Sequence, residues 1–462
     1  MTNQPKKATT RRKPKASNNK TPPVYFLSLE VENVLCFKGK QELKFSDNQG
    51  NPSQWTVILG NNGVGKTTLL RCLAGMGIGL ILNEGDNFFV TPLLFEVFNN
   101  PNPIWQEINV LEDNGAKVKS YLVSGSNLLE INKFKNLELT ISNIEIFVGR
   151  GSMMQGILDL RDLVCYGYGA TRRLGETILS ERISSDNSAS LFSDNATLVN
   201  AEEWLLQTDY AIKSSSGKPH NRFKKEFDII IETLKRILPD VTDIHIAPAD
   251  EFHSRPRAEF QTPYGWVSLS SLGLGYRTTI AWMVDLAVRL FKRYPDSEDP
   301  LAEPAIVLVD EIDLHMHPKW QRDIMQFLTD RFPNTQFIVT AHSPLVVQAA
   351  QDANIVLLRR EGDRVVIDNN PEIIENWRVD QVLTSVFEMP SARPAKIEPL
   401  LQRRKEILTK PKLTASDRAE LKELEAKIGT LPTAETSEDI KAMDIIRRAA
   451  KLLDQPVTEA VE

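Results

Sequence analysis

Gly60-Asn61-Asn62-Gly63-Val64-Gly65-Lys66-Thr67, with Thr68 next in line, is the stretch that decides the fold. It follows a continuous apolar run from Trp55 to Leu59 and leads into a helix expected from Lys66 to about Ala74. The eight residues fit the pattern G-x-x-x-x-G-K-[ST] in full, in the strand–turn–helix setting that pattern requires. Glycines let backbone N–H groups wrap a phosphate chain, and the helix N-terminus adds favourable partial charge. Lys66 can reach β- and γ-phosphates, and the Thr67 hydroxyl can ligate a magnesium ion. The expected ligand is ATP with Mg²⁺.

Ile306-Val307-Leu308-Val309-Asp310-Glu311 supplies the second half of the site. Four apolar residues read as a buried strand, and two acids follow at its carboxyl end, where open α/β sheets take their ligands. Asp310 is expected to hold Mg²⁺, and Glu311 to accept a proton from, or orient, the attacking water. The next buried strand ends in Thr340-Ala341-His342-Ser343-Pro344, where His342 is positioned to sense a γ-phosphate.

Together these residues resemble the ABC-type ATPases of the structural-maintenance (SMC), Rad50 and RecF branch. The run Val309 to Gln321 looks like that branch's Walker B strand and D-loop, which implies that Asp313 couples two sites across a dimer. His315 and His317 have metal-pair spacing but no third or fourth ligand nearby. The branch's Leu-Ser-Gly-Gly signature is altered. Anchored on Gly275-Tyr276-Arg277, this chain reads Leu272-Gly273-Leu274-Gly275, with Ser270 and Ser271 just upstream as substitutes. The missing hydroxyl at Gly273 implies slow hydrolysis. Tyr166-Gly167-Tyr168-Gly169-Ala170-Thr171-Arg172-Arg173 reads equally as a segment near the nucleotide or as a tight turn before a helical insert.

The resemblance implies an α/β fold: an ABC-type P-loop ATPase head over residues 24–370. Short β-type runs with Asn, Gly and Pro breaks mark residues 84–170 as an inserted antiparallel β-subdomain. A short helical insert is expected over 175–240, and residues 371–462 form a helical C-terminal region with apolar faces for partner docking. Residues 1–23 form a basic tail, with Lys6, Lys7, Arg11, Arg12, Lys13, Lys15 and Lys20 unopposed by acids. The net charge of −6 therefore leaves a remainder near −13. At 41% hydrophobic and 25% charged residues, the 462-residue chain is compositionally a folded protein. No stretch reaches the roughly 18 apolar residues of a membrane helix. Three cysteines in no disulfide or metal pattern fit a reducing cytoplasm.

From about residue 25 to 455 the chain is similar to the ATPase subunits of the Septu anti-phage system and of some retrons. Softer motifs carry this likeness: Ala201 to Leu206, and Glu375-Asn376-Trp377-Arg378-Val379-Asp380-Gln381-Val382-Leu383. It implies a regulatory ATPase that dimerises head to tail and holds a separate HNH-type nuclease subunit (PtuB-like). DNA is a further candidate partner, through the basic tail and Lys218, Arg222, Lys224 and Lys225. The alternative is a RecF-like repair or recombination ATPase acting as a nucleotide-gated DNA clamp. A transporter subunit fits poorly, since 207 residues separate Lys66 from Gly273. With 120 residues after His342 and no paired acids there, a Toprim nuclease is also disfavoured.

Overall fold

Alternation governs the first strands, as it must where one face of a sheet is covered. The computed structural model describes residues 23–47, 49–75, 78–81, 89–92, 117–124, 127–133, 139–142, 163–174, 187–350, 352–369, 371, 378–387, 389, 394–410 and 414–428. β1 (Val24–Val34) buries Val24, Phe26, Leu29 and Val31, and β2 (Phe37–Lys44) returns antiparallel with Leu43 opposite Leu29. β3 (Trp55–Gly60) differs: all six residues are buried, as in a parallel strand covered on both faces. The glycine-rich loop after it enters α1 (Lys66–Ala74). β4 (Ile78–Ile81) and β5 (Phe89–Pro92) form a separate antiparallel pair. β6 (Lys117–Ser124), β7 (Asn127–Lys133) and β8 (Leu139–Ser142) extend the first sheet in the order β2-β1-β6-β7-β8.

β9 (Cys165–Tyr168) is followed by β10 (Arg173–Leu174), α2 (Ala189–Phe192) and β11 (Thr197–Leu198), with β10 and β11 parallel. Two helices come next: α3 (Ala201–Ser214), capped by the Asn200 side chain on Glu203 N–H, and α4 (Gly217–Ile237). An antiparallel sheet of β12 (Asp243–Ala247), β13 (Arg257–Thr262) and β14 (Gly265–Ser268) feeds α5 (Leu274–Arg293). Residues Thr278 to Phe291 of α5 are buried on every side, which marks it as a core helix rather than a surface one. Then come β15 (Ala305–Val309), α6 (Pro318–Arg331), β16 (Thr335–Thr340), α7 (Pro344–Ala349), β17 (Asn354–Glu361) and β18 (Arg364–Asp368). α8 (Val379–Ser385), α9 (Glu398–Leu408) and α10 (Ala415–Ile428) complete the described elements.

The central sheet runs β18-β17-β3-β16-β15-β9, parallel throughout except for β18. One apolar core joins it to the first sheet. Leu69, Leu70 and Leu73 of α1 are buried with Phe26, Leu29 and Val31 of β1 and with Ile58, Leu308 and Ile338 of the parallel strands. Each such leucine contributes about 1.5–3 kcal/mol by leaving water. A polar clasp sets the register between the sheets. Where β1 bulges near Phe26, the buried Gln336 of β16 accepts from Phe26 N–H at 2.9 Å and donates to its carbonyl at 2.8 Å. Both polar ends of that amide are thus satisfied without water.

β9 falls inside the range 84–170 expected to be an insert, yet it is the edge strand of the central sheet, paired in parallel with β15. Four residues are too few for periodicity to tell a core strand from a subdomain strand. Much of 84–170, part of 175–240, most of the basic tail and the apolar positions beyond residue 428 lie outside the described residues. The chain divides into two compact units, Met1–Val382 and Leu383–Glu462, so the first extends past residue 370. In the second unit α9 and α10 pair, with Ile407 and Leu424 buried and Arg403 bridged to Glu420. Leu408 remains half exposed. Among the described residues no helix is long and apolar enough to cross a membrane.

Candidate functional site

Four parallel strands release their chains at one edge of the central sheet, and each delivers part of the site. β3 delivers the glycine loop, β15 the acids Asp310 and Glu311, β16 the segment Thr340 to His342, and β9 the turn ending in Arg172. This is the carboxyl edge at which parallel sheets take ligands.

Within the loop, Gly60, Gly63 and Gly65 all have positive φ, at 145°, 76° and 86°. Side chains would be excluded at two of them. A Cβ on Gly60 would lie 2.7 Å from the Leu358 carbonyl oxygen, and one on Gly65 would lie 2.7 Å from Cys36 Sγ and 2.8 Å from the Phe37 ring. A Cβ on Gly63 meets nothing within 4 Å, so the loop is open on that side. Asn61 and Asn62 are exposed, Val64 is buried beneath the loop, and Thr68 lies in the first turn of α1. Lys66 is buried, and its Nζ donates to the carbonyls of Gly60 (2.8 Å) and Asn61 (2.9 Å). Burial lowers its pKa from the ordinary value, against the opposing pull of Asp310, Glu311 and Asp313.

Asp310 is held from two sides. Its Oδ2 accepts from Thr67 Oγ1 at 2.7 Å and its Oδ1 from Thr340 Oγ1 at 2.6 Å. A hydroxyl and a carboxylate in contact form an oxygen donor set suited to a hard divalent ion such as Mg²⁺. Thr340 Oγ1 also accepts from Glu311 N–H at 2.7 Å. Glu311 itself is left-handed, with φ of 49°, a conformation that costs about 1–2 kcal/mol for a residue with a Cβ. Its Oε1 lies 4.0 Å from His342 Nε2. The His342 N–H donates to both oxygens of Asp313, each at 3.2 Å, tying the segment after β15 to the one after β16.

Arg172 is a residue whose place the sequence leaves open. Its buried guanidinium sends Nη2 to the carbonyls of both Asp310 and Glu311, and Nε to the Gly169 carbonyl at 3.1 Å. Burial lowers its pKa to about 10 against the pull of Asp310, Asp313 and Glu311, so it stays charged at neutral pH. In the sequence Thr340 stands only as a near neighbour of His342, and nothing in its local pattern marks it as the hydroxyl between two acids.

The segment expected to serve as the signature is bonded locally. Among the described residues no hydrogen bond or ion pair joins Ser271, Gly273 or Gly275 to residues 60–68. Ser271 Oγ lies 2.9 Å from Ser268 Oγ, and Gly273 opens α5 with no side-chain cap. Close approach requires a glycine at 275, where a Cβ would lie 2.2 Å from the His315 carbonyl oxygen. Gly273 has room, its nearest atom being Tyr276 Cδ2 at 3.9 Å. His317 caps α6, its Nδ1 accepting from Lys319 N–H at 3.3 Å. On α4 the basic cluster is largely partnered. Arg222 pairs with Glu226, Lys224 with Asp228, and Lys225 donates to the Ser297 carbonyl. The adjoining groove of about 780 Å³ mixes Arg236 and Arg331 with Glu232, Glu298 and Asp330, a poor surface for phosphates.

Comparisons with known proteins agree with this geometry. Residues 28–155 match the family described as "AAA domain", and residues 166–348 the family described as "AAA domain, putative AbiEii toxin, Type IV TA system". The chain is 27% identical over 405 residues to Septu protein PtuA of Bacillus mycoides (strain KBAB4), covering 87% of this chain and 50% of that protein. It is 29% identical over 249 residues to the Retron Ec83 probable ATPase of Escherichia coli, covering 53% of this chain and 42% of that one. The chain thus spans half or less of the length of these two relatives. The SMC head domain from Thermotoga maritima aligns at 13% identity over 75% of this chain and 98% of its own, with a TM-score of 0.38. With AAA-domain families matched on both halves of this edge, the chain has the fold of a P-loop ATPase and is similar in sequence to Septu PtuA and to retron ATPases.

Proposed function

We propose that this chain is the ATP-binding and hydrolysing regulatory subunit of an anti-phage defence complex. In this reading it is an ABC-type ATPase that dimerises head to tail around ATP and scaffolds or gates an HNH-type nuclease. The observation that carries the ATPase part is the Thr67–Asp310 contact at 2.7 Å beside buried Lys66, with Glu311 and His342 on the same edge. The defence part rests on likeness to Septu PtuA and the retron ATPases.

In this reading the loop N–H groups and Lys66 bind the phosphates, and the N-terminus of α1 adds its partial positive charge. Thr67 and Asp310 would hold Mg²⁺, which would supply positive charge to offset that of the phosphates. The Glu311 carboxylate takes a proton from the attacking water, and His342 beside it contacts the γ-phosphate. Asp313 links that histidine to the segment that faces a second copy. Ser271, Gly273 and Gly275 serve the other protomer's nucleotide. Turnover is slow because Gly273 offers no hydroxyl. A transition-state donor of that kind is worth roughly 10²–10³ in rate.

The test is co-expression with the neighbouring reading frames, followed by mass measurement of the purified complex. Recovery of an HNH-type nuclease with the ATPase supports the reading. A chain that purifies alone, beside no nuclease frame, favours a stand-alone DNA-clamp role instead.

A further inference from the structure

We propose that Arg172 is a positioning residue for hydrolysis, whose guanidinium fixes the backbone of Glu311 and through it the carboxylate that activates water. This rests on the reading of Glu311 as the base. The central observation is that one nitrogen, Arg172 Nη2, donates to the carbonyls of two consecutive residues, Asp310 and Glu311. In an extended strand successive carbonyls point to opposite sides, so one donor cannot serve both. They converge here because Glu311 turns left-handed, with φ of 49°. Such a conformation at a residue with a side chain persists only where its surroundings over-determine it. The surroundings are the Arg172 bond on its carbonyl and the Thr340 Oγ1 bond on its N–H.

Arg172 is itself fixed. Its Nε donates to Gly169 in its own turn, its backbone is left-handed at φ of 34°, and its side chain is almost wholly buried. The strand before the turn is anchored to α5. The Tyr168 hydroxyl donates to the buried Asp285 carboxylate at 2.9 Å, which also accepts from Arg289 Nε at 2.7 Å. None of these groups belongs to the phosphate loop, so removing the Arg172 fork displaces Glu311 while leaving the phosphate cradle in place. A lysine keeps the charge but lacks the planar fork that reaches two carbonyls and the turn together.

The test uses the full chain with Arg172→Met, Arg172→Lys and Glu311→Gln. The measurements are steady-state ATP hydrolysis, calorimetric affinity for a non-hydrolysable ATP analogue with Mg²⁺, and thermal midpoint. Arg172→Met is expected to lose about 10²-fold in kcat, the effect of moving a catalytic group by about 1 Å, with KM and analogue affinity near wild type. Arg172→Lys is expected to fall between Arg172→Met and wild type. If Arg172→Met does not fold, Arg172→Lys decides alone. Reduced kcat with retained affinity supports positioning, whereas wild-type kcat, or affinity and midpoint lost in step with kcat, overturns it. Normal hydrolysis by Glu311→Gln sinks the reading of Glu311 itself. An inactive Glu311→Gln beside fully active Arg172 variants sinks only the role of Arg172.

Discussion

Replacing Thr340 with valine removes one hydroxyl and keeps the shape of the side chain, at a position with no exposed surface. That hydroxyl donates to Asp310 Oδ1 at 2.6 Å and accepts from Glu311 N–H at 2.7 Å. Loss of a hydrogen bond to a charged acceptor costs about 1.5–3 kcal/mol, and a buried N–H left unpaired about 1–3 kcal/mol. Thr340→Val is therefore expected to destabilise the nucleotide-free chain by about 3–5 kcal/mol. Thr340→Ser keeps both bonds and loses one methyl, for about 1 kcal/mol. Urea unfolding of the two variants beside wild type gives the comparison from the shift in midpoint at constant slope. Mg²⁺-dependent ATP affinity should fall in the valine variant and survive in the serine one. If valine were no more destabilising than serine, the hydroxyl would not be the joint between the two acids, and this account of the site's rigidity would fail.

Lys66→Ala should abolish measurable ATP binding by calorimetry while leaving the fold intact; unchanged affinity would displace the phosphate site from residues 60–67. Gly275→Ala drives a methyl to within 2.2 Å of the His315 carbonyl, so a loss of about 1–3 kcal/mol in urea unfolding is expected from overpacking. Gly273→Ser meets no such obstacle, suits the first position of α5 as a cap, and restores the signature hydroxyl. It should raise steady-state turnover without loss of stability, and an unchanged rate would show that the residue at 273 does not limit hydrolysis. Lys410 Nζ and the Thr414 N–H and hydroxyl hold the Asp417 carboxyl well below the usual carboxylate range. A depressed carboxyl stabilises the fold above its unfolded pKa of about 4 and ceases to do so as pH falls through its folded value. Helical circular dichroism of the wild-type chain should therefore drop below pH 4 more than that of Asp417→Asn; matching acid titrations would argue against this.

What could be read from the sequence was whatever is local in the chain. Residues 60–67 name their own chemistry because the loop, the preceding strand and the following helix are contiguous, and Asp310 with Glu311 follows an unmistakable apolar strand. The role of Arg172 was not legible, because it depends on β9 lying beside β15, two strands with 136 residues between Tyr168 and Ala305 and no shared periodic signal. Thr340 likewise gains its meaning only from the parallel pairing of β15 with β16. The charge cluster on α4 shows the opposite case. Glu226 and Asp228 stand four residues after Arg222 and Lys224, the spacing at which helical charges pair, so their partnership was present in the sequence.

Single-turnover hydrolysis of Mg²⁺–ATP by Glu311→Gln beside wild type tests the role of Glu311 directly. The variant should bind ATP with undiminished affinity and cleave it at least about 10²-fold more slowly, the contribution expected of a general base. Cleavage at the wild-type rate would contradict that role.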